Sequence, residues 1–332
     1  MQHETPSAPA IFTDTFREDV LRGLALKEKA ISSRYFYDAE GDRIFQAIMA
    51  MPEYYPTRAE EEIMRDRTDA VLEALVADAQ RPELLELGAG DGTKTKHLLR
   101  RLLETGRDPL YRPIDISSHA LEVLGRELQK DLPTLRYKGE QGEYFEALQR
   151  CFGDRSLRRA VLFLGGNIGN LVRDRAIHLL SGVAQALGPD DRFLVGFDLK
   201  KDPARILAAY NDDSGHTRRF NLNLLHRINR ELGADFDVDT FVHTPVYDPM
   251  SGRAMSFLVS IREQQVHIPG AAGPFHFRAW EAIHTEISQK YDMDMIQDLA
   301  ENAGLRITAS FTDQQRLFTD VVFAPLQMTN GR

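Results

Sequence analysis

The apolar pattern changes character several times along the chain. Over residues 12–65, apolar and aromatic positions recur at helical spacing, broken by the turn formers Asp38, Gly41 and Asp42 and limited by Pro52 and Pro56. From Leu84 a short apolar run ends in glycines, a helical stretch covers 94–103, and a second apolar run covers 111–116. Strand, helix, strand predicts a right-handed parallel unit. The alternation continues with a helix over 119–128, strands at 135–137 and 160–164, a helix over 174–187 and a fifth strand at 192–197. Such alternation predicts a doubly wound α/β sheet with helices on both faces. From 203 to about 243 the pattern is helical again, with Leu222, Leu225 and Ile228 on one face, before a strand at 253–261; this reads as an insertion in the sheet topology. A helix over 293–303 and two strands, 306–311 and 318–325, end the pattern in a hairpin of antiparallel character.

Composition narrows the classes. A chain of 332 residues allows one large domain with insertions or two interwoven domains. Its longest apolar runs, such as Val161-Leu162-Phe163-Leu164, are far too short to span a bilayer. Residues 1–11 read as a flexible leader, without the basic start and apolar stretch of a signal peptide, and a cytoplasmic protein is expected. The single cysteine, Cys151, rules out an internal disulfide and a multi-cysteine metal site, and reads as a small buried hydrophobe. A formal charge of −9 disfavours attraction to phosphate backbones, so no nucleic-acid partner is expected.

The tract Glu86-Leu87-Gly88-Ala89-Gly90-Asp91-Gly92 falls where the first strand turns into the first helix. Glycines there let backbone approach a ligand that a Cβ would block. A dinucleotide fingerprint is G-x-G-x-x-G; this loop is G-x-G-x-G with an acid two positions ahead, and it resembles the nucleoside-methionine loop of class I methyltransferases. The terminal antiparallel hairpin suits such a core. A plain glycine-rich turn is the competing reading. Asp115, at the end of the next strand, offers two acceptor oxygens to a ribose diol, or alternatively serves the helix start at Ser117-Ser118. After the fourth strand, Gly165-Gly166-Asn167-Ile168-Gly169-Asn170 places amides at the carboxyl edge, where Asn170 could orient an amino acid or simply cap a turn. Glu286, Ser288 and Lys290 alternate, and in a strand would share one face; on spacing alone a solvated edge face is the better reading. Asp235, Asp237 and Asp239 open like a calcium loop, but Thr240 and Val246 replace the required glycine and glutamate. No H-E-x-x-H motif occurs, and no metal is expected.

Four segments together resemble one family: Tyr35-Phe36-Tyr37-Asp38-Ala39-Glu40-Gly41, Pro52-Glu53-Tyr54-Tyr55-Pro56-Thr57-Arg58, Leu164 to Leu171, and Glu286-Ile287-Ser288-Gln289-Lys290. This family is the histidine-specific Nα-methyltransferases, which make hercynine, the trimethylated betaine of histidine, for ergothioneine biosynthesis. The likeness runs over about 12–325. It implies a Rossmann-like class I S-adenosylmethionine (SAM) methyltransferase sheet in 63–200 plus 289–332, and a second α+β substrate-binding domain in 12–62 plus 201–288 that lids the site.

Carried over by position, the resemblance puts Tyr54, Gly88, Lys94 and Asp115 on SAM, with Glu143 and Tyr144 flanking the adenine, where the family usually has Asp-Phe. It puts Asn170 and Tyr210 on the α-carboxylate of histidine, Tyr37 and Phe45 near the amine, Met255 in the pocket wall, and Glu286 and Ser288 on the imidazole, reversing the bland reading of that strand. Gly166-Asn167 stands where some members have Ser-Thr. The implied reaction methylates L-histidine and its mono- and dimethylated forms, with Tyr37 as the catalytic residue bonding the amine and with no covalent intermediate. The rival readings are an N-methyltransferase for another amino acid or aromatic amine, a noncatalytic SAM-binding protein and, more distantly, an NAD-dependent dehydrogenase. No motif sets an oligomeric state, and a monomer is compatible with all of them.

Overall fold

A computed structural model describes residues 10–142, 144–151 and 158–326. They form two compact units: the segment ending at Tyr54 joins Asp202–Ser288, and Tyr55–Lys201 joins the segment beginning at Gln289. The first unit opens with α1 (Ala10–Ala25), the short strand β1 (Lys29–Ala30) and α2 (Ala39–Met49). Asp38 does more than turn the chain: its carboxylate accepts from the Gly41 amide at 2.7 Å and caps α2, and Asn223 and Arg230 hold it in place.

The second unit begins with α3 (Tyr55–Asp66) and α4 (Thr68–Val76). It continues as β2 (Glu83–Leu87), α5 (Thr93–Glu104), β3 (Leu110–Asp115), α6 (Ser118–Asp131), β4 (Arg136–Tyr137), β5 (Glu140–Gln141), α7 (Tyr144–Cys151), β6 (Arg159–Phe163), α8 (Arg173–Ala186) and β7 (Arg192–Asp198). Every residue of β2 and β6 is buried, as strands covered on both faces require. Ser117 caps α6, accepting from Ala120 at 3.1 Å, so the helix starts at the predicted pair of serines.

The chain then returns to the first unit through α9 (Pro203–Tyr210), α10 (His216–Leu232), β8 (Phe241–Asp248), β9 (Arg253–Ser260), β10 (Gln264–Val266), β11 (Phe275–Phe277) and β12 (Ala282–Gln289). The helical reading to about 243 is corrected here: α10 stops at Leu232, and Phe241–Asp248 is a strand. Pro245 argues against a strand, yet β8 is the edge of a sheet ordered β1-β12-β9-β8, where a missing N–H is tolerated. The core of this unit joins α1, α2 and α10 to the sheet through Phe16, Phe36, Ile44, Leu224, Ile228, Leu258 and Ile283.

The second unit closes with α11 (Met293–Asn302), β13 (Leu305–Thr312) and β14 (Phe318–Pro325). Its main sheet runs β13-β14-β7-β6-β2-β3-β4, with β5 also paired to β3. From β7 to β4 all pairings are parallel, while β14 is antiparallel to both neighbours. The chain therefore winds outward from β2 in one direction and from β6 in the other. The inserted terminal hairpin separates this order from a dinucleotide fold and gives the class I methyltransferase sheet. Alternate strand residues feed two cores: Leu85, Leu87, Val161 and Val195 face α7, α8 and α11, whereas Leu84, Leu162 and Leu194 face α4, α5 and α6. The expected domain boundary at 62–63 moves to Tyr54–Tyr55, because α3 packs on α5 and β14 and lies wholly in the second unit. Among the described residues no helix is long and apolar enough to cross a membrane, and no cluster of His, Cys, Asp and Glu has the makings of a metal site.

Candidate active site

In the second unit the loop after β2 turns on three glycines in the left-handed region: Gly88 at φ +70°, Gly90 at +55° and Gly92 at +66°. A Cβ on Gly88 would come within 2.7 Å of the Tyr144 hydroxyl, so α7 roofs this loop closely. Glu86, 3% exposed, sits beneath it and accepts from Thr95 Oγ1 at 2.7 Å and Tyr111 Oη at 2.5 Å. Burial pushes its carboxyl up to about 7, although the two hydroxyls and the Lys94 charge pull it down.

Lys94, in the first turn of α5, pairs with Glu60 of α3, and both Glu60 oxygens accept from the Gly165 amide at 2.8 Å. Burial opposes the Lys94 charge, but Glu60 outweighs it and raises the ammonium's pKa. Asp320 of β14 is fully buried in the same cluster; burial first, then the Glu60 charge, push its carboxyl well above the usual range. Asp115 ends β3, where its Oδ1 accepts from the Ser117 amide at 2.9 Å, and burial raises its pKa. Asn170 ends the 3₁₀ turn Asn167–Asn170 that follows β6, and Asn167 donates to the Leu164 carbonyl at 2.9 Å.

In the first unit, rings gather where two helical segments meet. Tyr37 lies edge-on to Phe45, with centroids 5.5 Å apart, and Phe45 is edge-on to Tyr54 at 6.2 Å. Phe220 of α10 backs both Tyr37 and Phe45, at 5.5 and 5.6 Å. Tyr37 is 43% exposed despite these neighbours. Tyr210 ends α9 and is buried. Met255 stands on β9, opposite Val246 of β8. On β12, Glu286 is part-exposed and Ser288 buried. The strand ends at Gln289, so Lys290 does not extend their face; it pairs with Asp198 at 2.7 Å.

The family profile described as "Histidine-specific methyltransferase, SAM-dependent" matches residues 16–325. The chain belongs to this family. It is 36% identical over 301 residues to the histidine N-alpha-methyltransferase of Mycolicibacterium smegmatis, covering 90% of this chain and 92% of that protein. The Mycobacterium tuberculosis protein of the same name is 36% identical over 298 residues, covering 90% and 91%. Ergothioneine biosynthesis protein 1 of Neurospora crassa is 30% identical over 284 residues, which span 83% of this chain and 31% of the fungal one.

As a histidine-specific, SAM-dependent methyltransferase, the chain needs a seat for a nucleoside joined to methionine. The loop after β2 fits that group: its glycines bring backbone to the surface, Gly88 leaves no room for a Cβ under Tyr144, and the Asp115 carboxylate stands at the neighbouring strand end. Of the predicted residues, Gly88, Lys94, Asp115, Tyr144 and Asn170 belong to the second unit, and Tyr37, Phe45, Tyr54, Tyr210, Met255, Glu286 and Ser288 to the first. Glu143 lies outside the described residues. Sequence reasoning missed Glu60, Asp320 and Phe220. Glu60 falls in the run Glu60-Glu61-Glu62, which looks like a solvated helix face, yet Glu60 is fully buried.

Proposed function

We propose that this protein transfers methyl groups from SAM to the α-amino group of L-histidine, up to three in succession, to give hercynine for ergothioneine biosynthesis in the cytoplasm. The observation that carries this reading is the match of nearly the whole chain to a histidine-specific family. On this reading the second unit seats SAM with Gly88, Lys94, Asp115 and Tyr144. The first unit binds the amino acid, with Tyr37 and Phe45 at the amine, Tyr210 at the carboxylate, Met255 in the wall, and Glu286 and Ser288 at the imidazole.

Bound SAM would supply a methyl carbon open to in-line attack by an amine lone pair, the N–C bond forming as the S–C bond breaks and the neutral thioether leaves. The protein's share is to present that lone pair. Orientation alone can contribute roughly 7–11 kcal/mol, against about 10²–10⁴-fold for general acid-base help. The part-exposed Tyr37 hydroxyl takes a hydrogen bond from the amine and passes its proton toward solvent. The gathered rings suit the product as well as the substrate. Each methylation makes the nitrogen bulkier and more apolar while it keeps a positive charge when protonated or quaternary, and aromatic faces attract such cations.

Purified protein incubated with SAM and an equimolar mixture of the twenty standard amino acids, followed by mass spectrometry, tests the reading. Gains of one to three methyl groups on histidine alone are expected. Methylation of a different amino acid would overturn the substrate, and no methylation of any would overturn the activity.

A further inference from the structure

Behind Glu286 runs a short hydrogen-bonded chain that the family resemblance does not supply. Ser256 of β9 donates its hydroxyl to Glu286 Oε2 at 3.2 Å, and His243 of β8 places Nε2 at 3.2 Å from the same Ser256 Oγ. The three residues come from three adjacent strands of one sheet, β12, β9 and β8. Ser256 is fully buried and His243 is 9% exposed. On the other side of β12, Thr285 Oγ1 lies 3.0 Å from the Ser256 carbonyl and 2.7 Å from Asn221 Oδ1 and shares its one proton between them, which pins the two strands at this level.

The direction of the chain follows from counting protons. An ionised carboxylate only accepts, so the single hydroxyl proton of Ser256 goes to Glu286. His243 must then donate to Ser256, which requires the neutral ring with its proton on Nε2. Burial keeps His243 neutral, bringing its pKa down to about 4 despite the Asp212 charge, with Arg218 acting in the same direction as burial. One carboxylate oxygen is thereby held by a fixed donor.

We propose that Ser256 and His243 are positioning residues for substrate selection: they hold the Glu286 carboxylate aimed so that it accepts one N–H from the side chain of the amino acid. The proposal rests on the assignment of Glu286 to the imidazole. A site built around such an acceptor rejects a ring without an N–H, because the carboxylate would lose water and gain nothing. Side chains of the same size lacking that donor are therefore excluded by Glu286, and the sharpness of the exclusion depends on Ser256.

Two measurements test this, one of them independent of turnover. Nitrogen-15 NMR of the protein with labelled histidine should find His243 neutral with the proton on Nε2 from pH 6 to 8. A proton on Nδ1, or a charged ring in that range, overturns the proposal. The second compares kcat/KM for L-histidine with that for 3-(2-thienyl)-L-alanine, a five-membered ring without N–H. Ser256→Ala should narrow the preference by about tenfold or more through a raised KM for histidine, and Ser256→Thr should restore it. His243→Phe should fall between Ser256→Ala and the parent. If Glu286→Ala flattens the preference while Ser256→Ala leaves it intact, the relay is overturned and the histidine reading stands. If Glu286→Ala also leaves the preference intact, the Glu286 assignment fails and the relay falls with it.

Discussion

Glu86 shows how a single buried carboxyl writes a pH dependence into the fold. In the unfolded chain a glutamate titrates near 4.3, and in the folded protein burial moves this one up to about 7. Between those values the native state holds a proton that the unfolded state has released. Stability therefore falls as pH rises through the window, and the full penalty, about 4 kcal/mol, is present above it. Glu86→Gln keeps an acceptor for Thr95 and Tyr111 but cannot ionise. Its stability relative to the parent should improve by up to about 3 kcal/mol between pH 5 and pH 8, read from denaturant titrations at both values. An equal difference at both pH values would mean that Glu86 does not carry the proton. At this scale the sequence was only partly legible. The acid ahead of the glycines and the carboxylate of Asp115 stand out by position, but Ser256 and His243 are ordinary strand residues in the sequence. What gives them a role is the register of β8, β9 and β12, and register is a long-range property that no local pattern encodes.

The loop after β2 is the element in which backbone conformation and close packing coincide. Gly88→Ala would place a side chain at φ +70° and drive a Cβ against the Tyr144 hydroxyl, so the loop or the head of α7 must shift. Affinity for S-adenosylhomocysteine, measured by calorimetry, should weaken on the order of tenfold, the equivalent of about 1.4 kcal/mol. Unchanged affinity would take Gly88 and Tyr144 out of the donor seat. The elements themselves were largely readable, because α5, α6, α8, α11 and the strands β6, β7 and β14 announce themselves through period and punctuation. The strand β8 was not. Its Pro245 and polar positions suit an edge, and edges are defined by what fails to pair beside them. Likewise the acidic run in α3 hides Glu60, whose burial is created by α5, β14 and the turn after β6, elements distant in sequence.

For the whole molecule the consequential fact is that the chain passes between its two units three times, at Tyr54–Tyr55, Lys201–Asp202 and Ser288–Gln289. A residue beside each crossing reaches the same carboxylate of the second unit. Tyr55 Oη donates to Asp198 at 3.0 Å, Lys201 pairs with it at 2.5 Å and Lys290 at 2.7 Å. Asp198 and Lys290 are 5% and 1% exposed, so this is a buried cluster in which removing one member strands the others. Breaking such a pair typically costs about 3–5 kcal/mol, whereas an exposed pair is worth about 1 kcal/mol or less. Asp198→Ala should accordingly lose stability in the upper range in a denaturant titration. Because the three connections share this one anchor, amide hydrogen exchange should rise together in the segments flanking Tyr55, Lys201 and Lys290, although they are far apart in sequence. A rise confined to β7 would mean that each connection is held independently, and that Asp198 serves its own strand alone.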